Sequence, residues 1–418
     1  MAVRAANWAF LGMLCAGIPG AMGAQAAETP AAPPASPADS LPVATDARLG
    51  GDEAQTRFVM DFSRMIDVRA FTLADPYRVV IDIPQVVFQL PPKTGESGRG
   101  LIKAFRFGLV MQGGSRLVFD LAKPAKVEKA FVVEPTETAP ARLVLDLVPT
   151  DREAFLRRAA VDNRAARADL PRVEAPQAKE SDPRPLIVLD PGHGGIDTGT
   201  KGPNGEEEKD IVLNFAQRLR ERVEKSGKCR VLLTRSDDTF VPLADRVRIA
   251  REAGAALFVS IHADSLPRGE GDAQGASIYT LSDTATDSEA ARLAEKENRA
   301  DVVAGVDLKS EPDDVAGILI DLAERETKSF SMQCAHKLAG DMKAVTRMHK
   351  KPLKSAGFRV LRAPDVPSVL VELGYVSNRQ DLQSLLSETW RNRTADTMAQ
   401  AIETFFSAHM AGGHTGSN

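Results

Sequence analysis

One short stretch constrains this chain more than any other: residues 186–195, which read Leu-Ile-Val-Leu-Asp-Pro-Gly-His-Gly-Gly. Four apolar residues end at Asp190 and Pro191, which predicts a buried strand closed by turn residues. His193 then lies in a glycine-flanked turn just beyond the carboxyl end of that strand. Ligands bind at this edge of an open α/β sheet, although a lone histidine more often caps or packs. The stretch therefore predicts a functional site if other ligand-type residues reach the same edge.

Three further segments bring such residues to that edge. Residues 205–210 read Gly-Glu-Glu-Glu-Lys-Asp and precede an apolar stripe at helical spacing, so their carboxylates lie at a helix N-terminus, where negative charge is favourable. The apolar run 256–261 predicts a second strand, and His262 follows it. The run 368–374 predicts a third strand with Glu372 inside it, and a buried acid costs stability unless it is paired or used. We therefore expect two histidines and two glutamates to face one point.

Four motifs in this part of the chain resemble those of one family. In order, they read Asp-Pro-Gly-His-Gly-Gly, Glu-Lys-Asp before a helix, Ser-Ile-His-Ala-Asp, and Val-Leu-Val-Glu-Leu-Gly-Tyr-Val-Ser-Asn. This set is similar to the zinc-dependent N-acetylmuramoyl-L-alanine amidases of the Amidase_3 family. The resemblance covers residues 184–410, and four motifs in order, each at an element boundary, are far more specific than one.

The resemblance implies a zinc ion held by His193, Glu208 and His262. Imidazole and carboxylate ligands suit zinc, and three protein ligands leave one position open for water. Glu208 is chosen because it matches the family's Glu-Lys-Asp motif. Glu206 and Glu207 are indistinguishable from it by composition, and a solvated helix start is the alternative for them.

The resemblance also implies that Glu372 acts in catalysis. Zinc activates water near neutral pH and polarises a carbonyl. Glu372 would accept a proton from the water and pass it to the departing amine, because an unprotonated amine leaves poorly. The alternative is a structural acid that is paired with an arginine.

Residues 185–410 alternate between predicted strands and helices, which indicates an α/β domain with a twisted, mostly parallel sheet flanked by helices. A mostly helical insertion interrupts this domain at about residues 283–351. In the regulated members of the family, a helix at this place covers the zinc with a blocking glutamate. Glu295 and Glu297 are the candidates here, and only one can reach the metal because they point to different helix faces. The alternative is that both are exposed, with Glu295 paired to Arg299.

A blocked enzyme of this kind needs a partner that binds its closed and open states unequally. The resemblance implies a periplasmic activator that is related to metallopeptidases but lacks their zinc site. We expect it to dock near residues 315–322, in the second part of the insertion. Peptidoglycan, the expected substrate, is the other partner.

The preceding part of the chain, residues 47–149, has a different pattern of apolar and polar residues. Short alternating runs separated by Gly, Pro and Ser predict an all-β sandwich. The runs are residues 57–62, 78–83, 100–107, 116–121 and 142–147. Their repeated Arg–apolar–Asp units resemble the AMIN domain, which in family terms targets peptidoglycan. Solvated strand faces are the alternative for these charges, so no residue of this domain is assigned to binding.

The remaining segments are expected to be a signal, linkers and a tail. Residues 1–26 contain Arg4, an apolar stretch and an Ala-Gln-Ala site, which predicts a secretory signal peptide. Glycine and proline interrupt the apolar stretch, so we expect no stable membrane anchor. Residues 27–46 and 150–184 are predicted to be linkers, and residues 411–418 a disordered tail.

The expected function is that of a periplasmic hydrolase. It would cleave the amide between N-acetylmuramic acid and L-alanine of the stem peptide, in wall turnover and daughter-cell separation. A net charge of −4 gives no case for nucleic-acid binding. Two alternatives remain: a zinc peptidase acting on stem peptides, although the sequence has no His-Glu-x-x-His helix, and an inactive peptidoglycan-binding scaffold, which would be expected to lack a ligand.

Overall fold

The computed structural model describes residues 41–111, 113–168, 182–265, 273–306 and 319–412. The predicted signal peptide lies outside these residues. The same holds for residues 315–318, the first half of the expected activator-docking segment, and for residues 413–418 of the predicted tail.

The first domain is the predicted all-β sandwich. Its strands are β1 (Val43–Gly51), β2 (Thr56–Phe62), β3 (Arg69–Leu73), β4 (Arg78–Pro84), β5 (Val87–Phe88), β6 (Ile102–Met111), β7 (Gly114–Leu121), β8 (Ala125–Val133) and β9 (Ala141–Pro149). They form two sheets, in the orders β5-β1-β2-β9-β8 and β3-β4-β7-β6. Apolar side chains from both sheets, including Phe58, Phe119 and Leu145, share one core. This arrangement confirms the predicted sandwich.

The predicted runs coincide with β2, β4, β6, β7 and β9, whereas the other strands were not predicted. Strands β3, β5 and β8 lie at sheet edges. Strand β5 has only two residues, and β1 and β8 each bury one side chain among nine. Apolar alternation is weak in such strands because few of their side chains face the core.

The structure differs from the predicted linkers at both ends of the sandwich. Strand β1 already begins at Val43, and a helix, α1 (Arg152–Ala168), occupies the start of the second linker. Phe155 and Ala159 of α1 join the sandwich core. Asp162 accepts hydrogen bonds from the backbone nitrogen (2.9 Å) and the hydroxyl (2.8 Å) of Thr72. Two apolar residues and one buried carboxylate are enough to dock the helix, but they are too few to make a visible stripe.

The second domain is the predicted α/β domain. Its elements are β10 (Leu186–Pro191), α2 (Glu208–Lys225), β11 (Arg230–Leu233), α3 (Leu243–Glu252), β12 (Leu257–His262), β13 (Ala276–Leu281), α4 (Ser288–Glu297), α5 (Ala300–Val303), α6 (Leu319–Met342), β14 (Met348–Ala356), β15 (Ser368–Glu372), α7 (Arg379–Leu386) and α8 (Glu388–Gly412). The sheet order is β11-β10-β12-β15-β13-β14, and every pair is parallel except β13 with β15. A mostly parallel sheet with helices is therefore confirmed.

Part of the predicted insertion belongs to the core. Cys334, Leu338 and Met342 of α6 are buried in the same cluster as the sheet, and β14 pairs with β13. Cys334 and Cys229 are both free thiols. Helices α4 and α5 are the other described helices of the insertion, and Ala290, Leu293 and Ala294 of α4 pack in the second buried cluster of the domain, together with Val188 of the sheet. Among the described residues, no helix combines the length and the apolar character that a membrane crossing requires.

The two domains share an interface beside β10. The carbonyl oxygen of Leu109 in β6 accepts a hydrogen bond from the backbone nitrogen of Ile196 at 3.0 Å. A Cβ atom on Gly195, which has φ +56°, would lie 1.8 Å from that same oxygen. Only glycine allows this approach, so the turn after β10 is shaped to receive the sandwich.

Candidate metal centre

The turn after β10 presents His193 at the carboxyl edge of the sheet. His193 has φ +58°, in the left-handed region that few residues other than glycine adopt. Two buried arginines hold this backbone. Arg246 donates to the carbonyl of His193 at 2.7 Å, and Arg235 donates to the carbonyl of Gly192 at 2.8 Å. A Cβ on Gly192 would lie 2.3 Å from Cε1 of His262, so glycine is needed for the two histidines to meet.

The sheet register brings the other predicted residues to the same edge. Strand β12 lies between β10 and β15, and His262 is the register partner of Glu372. Glu208 is the first residue of α2, and it is fully buried. His193, Glu208, His262 and Glu372 therefore lie together, as their positions at element ends predicted.

The ligand atoms form a compact group. Oε1 of Glu208 lies 3.2 Å from Nε2 of His193 and 3.4 Å from Nδ1 of His262. Oε2 of Glu297 lies 3.4 Å and 3.2 Å from the same two nitrogens. A tetrahedral zinc site with ligand distances of about 2.0–2.1 Å has edges of about 3.3–3.4 Å. The four histidine-to-glutamate distances are thus close to the spacing of donor atoms around a zinc ion.

Neighbouring groups orient these ligands. Nδ1 of His193 lies 2.9 Å from Oδ2 of Asp197, which leaves Nε2 facing the centre of the group. Oε1 of Glu208 accepts a hydrogen bond from the backbone nitrogen of Ala263, and Oε2 accepts one from that of Thr200, each at 2.9 Å. The carboxylate is therefore held at both oxygens.

The chemistry of the group also fits a cation. Nε2 of His193, Nδ1 of His262 and Oε1 of Glu297 are buried and have no hydrogen-bond partner among the described residues. Burial lowers the pKa of His193, but the charges of Glu208, Asp197 and Glu297 outweigh it and raise the pKa well above its usual value. The negative charge of several carboxylates thus favours a positive charge at this point. A bound metal ion would supply that positive charge.

Glu372 is buried beside the ligands without being one of them. Its Oε2 accepts a hydrogen bond from the backbone nitrogen of Asp264 at 3.0 Å, whereas Oε1 has no partner in the described part of the chain. Burial, together with the charges of Asp264 and Glu208, raises the pKa of Glu372 well above its usual value. A buried carboxyl group with one uncommitted oxygen and a raised pKa is suited to proton transfer.

The two candidate blocking glutamates have different surroundings. Glu297 is buried, and its carboxylate lies within 3.4 Å of a ring nitrogen of each histidine. Glu295 is 65% exposed and pairs with Arg299 on the surface. Lys296 lies between them and binds Asp264 and the hydroxyl of Thr200. Only Glu297 therefore reaches the ligand set.

Sequence reasoning missed the buried network beneath the turn. Asp190 was interpreted only as a turn residue, yet it accepts hydrogen bonds from Thr234 (2.6 Å), Ser260 (2.7 Å) and Arg246 (2.8 Å). The signal was available because Asp190, like Glu372, is an acid at the end of an apolar run. Asp197 gave no such signal, since it lies among polar loop residues.

A cleft of about 740 Å³ runs beside the metal centre. The α/β domain contributes His193, Glu297 and Lys209 to its wall, and the sandwich contributes Phe88 and Phe107. The volume is that of an ordinary ligand site. A substrate in this cleft would touch both domains.

Comparisons with known proteins agree with this arrangement. The N-acetylmuramoyl-L-alanine amidase profile matches residues 187–404, and the AMIN domain profile matches residues 46–151. N-acetylmuramoyl-L-alanine amidase AmiC of Escherichia coli O6:H1 is 33% identical over 367 residues, which cover 84% of this chain and 86% of that relative. AmiA of Escherichia coli K12 is 40% identical over 232 residues, which cover 55% of this chain and 79% of AmiA. The solved structure of AmiC2 from Nostoc punctiforme has 27% identity and a TM-score of 0.38, covering 53% of this chain and 97% of that one.

Proposed function

This chain belongs to the N-acetylmuramoyl-L-alanine amidase family, and we propose that it is a periplasmic, zinc-dependent member that acts on peptidoglycan. It hydrolyses the amide between N-acetylmuramic acid and L-alanine of the stem peptide. The observation that carries the proposal is the compact group of histidine and glutamate donor atoms, with His-to-Glu distances of 3.2–3.4 Å and Glu372 buried beside it.

His193, Glu208 and His262 are the residues that hold the metal in this proposal. Asp197 fixes the orientation of His193, and two backbone nitrogens fix Glu208. Zinc bound there supplies Lewis acidity, which activates water near neutral pH and polarises the scissile carbonyl. The hydrogen bonds to His193 and Glu208 keep the donors aimed at one point.

Glu372 is the general base and acid of the proposed reaction. Its Oε1 takes a proton from water as the water oxygen bonds to the amide carbon. The same proton then goes to the nitrogen of L-alanine as the carbon–nitrogen bond breaks, so the products are a carboxylic acid and an amine. Burial and nearby carboxylates raise the pKa of Glu372, which supports a group that can hold a proton between the two steps.

Glu297 keeps the enzyme closed. Its carboxylate lies 3.2–3.4 Å from a ring nitrogen of each histidine, which supports an inhibited state in which it would occupy the position that water needs. Activation requires that α4 move away. We propose that a periplasmic activator, related to metallopeptidases but lacking their zinc site, drives this movement by binding near residues 315–322.

We propose that the sandwich, which matches the AMIN domain profile, holds peptidoglycan in wall turnover and daughter-cell separation. Made alone, it should sediment with purified sacculi without cutting them. Binding no stronger than that of an unrelated β-sandwich would remove this role.

The test of the activity is digestion of purified sacculi by zinc-loaded full-length protein carrying Glu297→Ala, which removes the blocking carboxylate. The released products are identified by mass. Intact stem peptides with a free N-terminal L-alanine are expected, and the double variant Glu297→Ala/Glu372→Gln is the control. Cut stem peptides would indicate a peptidase instead, and no release by the zinc-loaded protein would indicate a scaffold.

A further inference from the structure

We propose that the sandwich domain is a latch for the blocking helix: three arginines on its β4–β7–β6 sheet hold the carbonyl end of α5 and thereby keep Glu297 at the metal centre. The proposal deepens the proposed function, because it rests on the blocking role of Glu297. It gives the sandwich a regulatory task in addition to peptidoglycan targeting.

The contacts all end on successive carbonyl groups. Arg78 donates to the carbonyl of Val302 at 2.8 Å, and Arg106 donates to those of Val302 and Val303. Arg116 donates to the carbonyls of residues 304 and 305 at 3.1 Å and 3.2 Å. The last carbonyls of a helix have no partner within the helix and carry partial negative charge. Three cations on four successive carbonyls therefore form a specific cap supplied by another domain.

Aspartates of the same sheet fix the orientation of two of the three arginines, Arg106 and Arg116. Asp82 accepts two hydrogen bonds from Arg116, at 2.6 Å and 3.0 Å. Asp120 accepts two from Arg106, at 2.6 Å and 3.2 Å. Such two-point pairs fix the guanidinium plane and point its remaining nitrogens outward. The repeated Arg–apolar–Asp units of the sequence thus acquire a use in this sheet.

Apolar packing reinforces the polar contacts. Gly305 has φ +70°, and a Cβ there would lie 3.0 Å from Val118 and 3.2 Å from Val80. Ala300 and Ala304 belong to the same buried cluster as those two valines. The segment that follows the blocking helix therefore contacts the sandwich through close apolar packing as well as through hydrogen bonds from charged side chains.

The latch lies close to the group that it controls. Four residues separate Glu297 from Val302, so displacement of α4 pulls directly on the capped carbonyls. On the α/β side, Leu243 donates to Asp301 at 3.0 Å, and Asn298 binds the backbone of residues 357 and 359 at 2.9 Å and 2.8 Å. Contacts that exist only in the closed state raise its population by their own free energy. The sandwich contacts therefore oppose opening.

The experiment compares Arg106→Gln with a matched control, Arg57→Gln, in the full-length protein. Arg57 makes the same kind of two-point pair, with Asp146 in the other sheet, at 2.7 Å for both bonds. Hydrogen exchange of the amides of residues 303–306, which are bonded within the segment, reports opening without requiring any catalysis. Basal hydrolysis of dye-labelled peptidoglycan by the zinc-loaded protein is the second readout.

Arg106→Gln should raise both the exchange rate of these amides and basal hydrolysis by about tenfold, a typical effect of losing hydrogen bonds to a charged group. Arg57→Gln should change neither rate. Arg106→Lys, which keeps the charge but cannot make the two-point pair, should fall between parent and Arg106→Gln, and thermal unfolding verifies that each variant is folded.

Two outcomes separate the latch from the amidase. If exchange rises in Arg106→Gln but neither it nor Glu297→Ala releases stem peptides, the proposed activity is wrong and the latch stands. If Glu297→Ala is active while Arg106→Gln and Arg106→Lys exchange and hydrolyse at the parent rate, the latch is wrong. Equal increases in the Arg57→Gln control would likewise overturn it, because they would show a general loosening of the sandwich.

Discussion

Two regions of the molecule supply carboxylates to the metal centre, and they hold them differently. Glu208 belongs to the sheet edge and accepts backbone hydrogen bonds at both oxygens. Burial opposes its ionisation, but the positive charges of His193 and Lys296 outweigh it and keep its pKa well below the usual value. Glu297 comes from α4, its Oε1 has no hydrogen-bond partner among the described residues, and burial raises its pKa. The Glu208 carboxylate is thus fixed by hydrogen bonds at both oxygens, whereas the Glu297 carboxylate has one oxygen without a hydrogen bond among the described residues.

This difference in hydrogen bonding explains how the Glu297 carboxylate can be removed from the site while Glu208 stays. A buried carboxylate without full hydrogen bonding is costly to keep in place, so contacts elsewhere must hold it. For Glu297 these contacts include those of Lys296 with Asp264 and Thr200 and, farther from the metal centre, those of α5 with Leu243 and with the sandwich. A partner can release the block by weakening them without disturbing the ligands.

The largest expected effect is in the sheet-edge region. His193→Ala or His262→Ala should lose bound zinc together with all hydrolysis, because each removes one of three permanent ligands. Zinc content is measured by metal analysis of the dialysed protein, and Glu297→Ala should retain zinc. Full zinc content in either histidine variant would remove that residue from the ligand set.

The next effect separates chemistry from metal binding. In the Glu297→Ala background, Glu372→Gln should lower hydrolysis by about 10²–10⁴, the usual contribution of a general acid or base. Zinc content and thermal stability should stay close to those of the background, since the amide keeps the shape of the carboxyl group. Turnover near that of the background would make Glu372 a structural residue.

A smaller effect tests the region that carries the block. Glu297→Ala should raise basal hydrolysis by about tenfold or more, because the carboxylate no longer competes with water for its position. Glu295→Ala is the matched control on the same helix. Its partner Arg299 is exposed, and such surface pairs contribute little, so its basal rate should equal that of the parent. Equal rates for both variants and the parent would contradict self-inhibition.

The smallest effect tests whether opening stays local. Burial raises the pKa of Cys334 to about 12, and burial also raises the pKa of Cys229. Both thiols should therefore remain protonated and unreactive toward a thiol reagent at pH 8. Both cysteines lie in the buried core around the sheet of the α/β domain. The reagent should therefore label them as slowly in the Glu297→Ala variant as in the parent. Fast labelling of Cys334 in that variant would show that α6 moves with the block.

The sequence allowed much of the site to be predicted because its ligands stand at element ends within local motifs. His193, His262 and Glu372 each end or follow an apolar run, and parallel strands bring such ends to one edge. The choice between Glu295 and Glu297 was not predictable. It depends on how α4 is rotated against the turn after β10, which is a property of packing between segments distant in sequence.

Some elements of the fold could not be predicted from the sequence, because they too depend on packing between segments that are distant in the chain. Helix α1 docks through Phe155, Ala159 and one buried carboxylate, and edge strands such as β8 bury few side chains. The interface between the domains left no local signal at all. Arg57 and Arg106 both stand beside phenylalanines within predicted strands, yet of the two only Arg106 meets α5.

A crystal structure of the zinc-loaded full-length protein, with the metal located by its anomalous scattering, tests the proposed metal centre and its block together. We expect one zinc ion bound by Nε2 of His193, Nδ1 of His262 and Oε1 of Glu208, with a carboxylate oxygen of Glu297 as the fourth ligand. The ligand distances should be about 2.0–2.1 Å. A zinc ion bound elsewhere, or one whose fourth ligand is water while α4 lies away from the site, would contradict it.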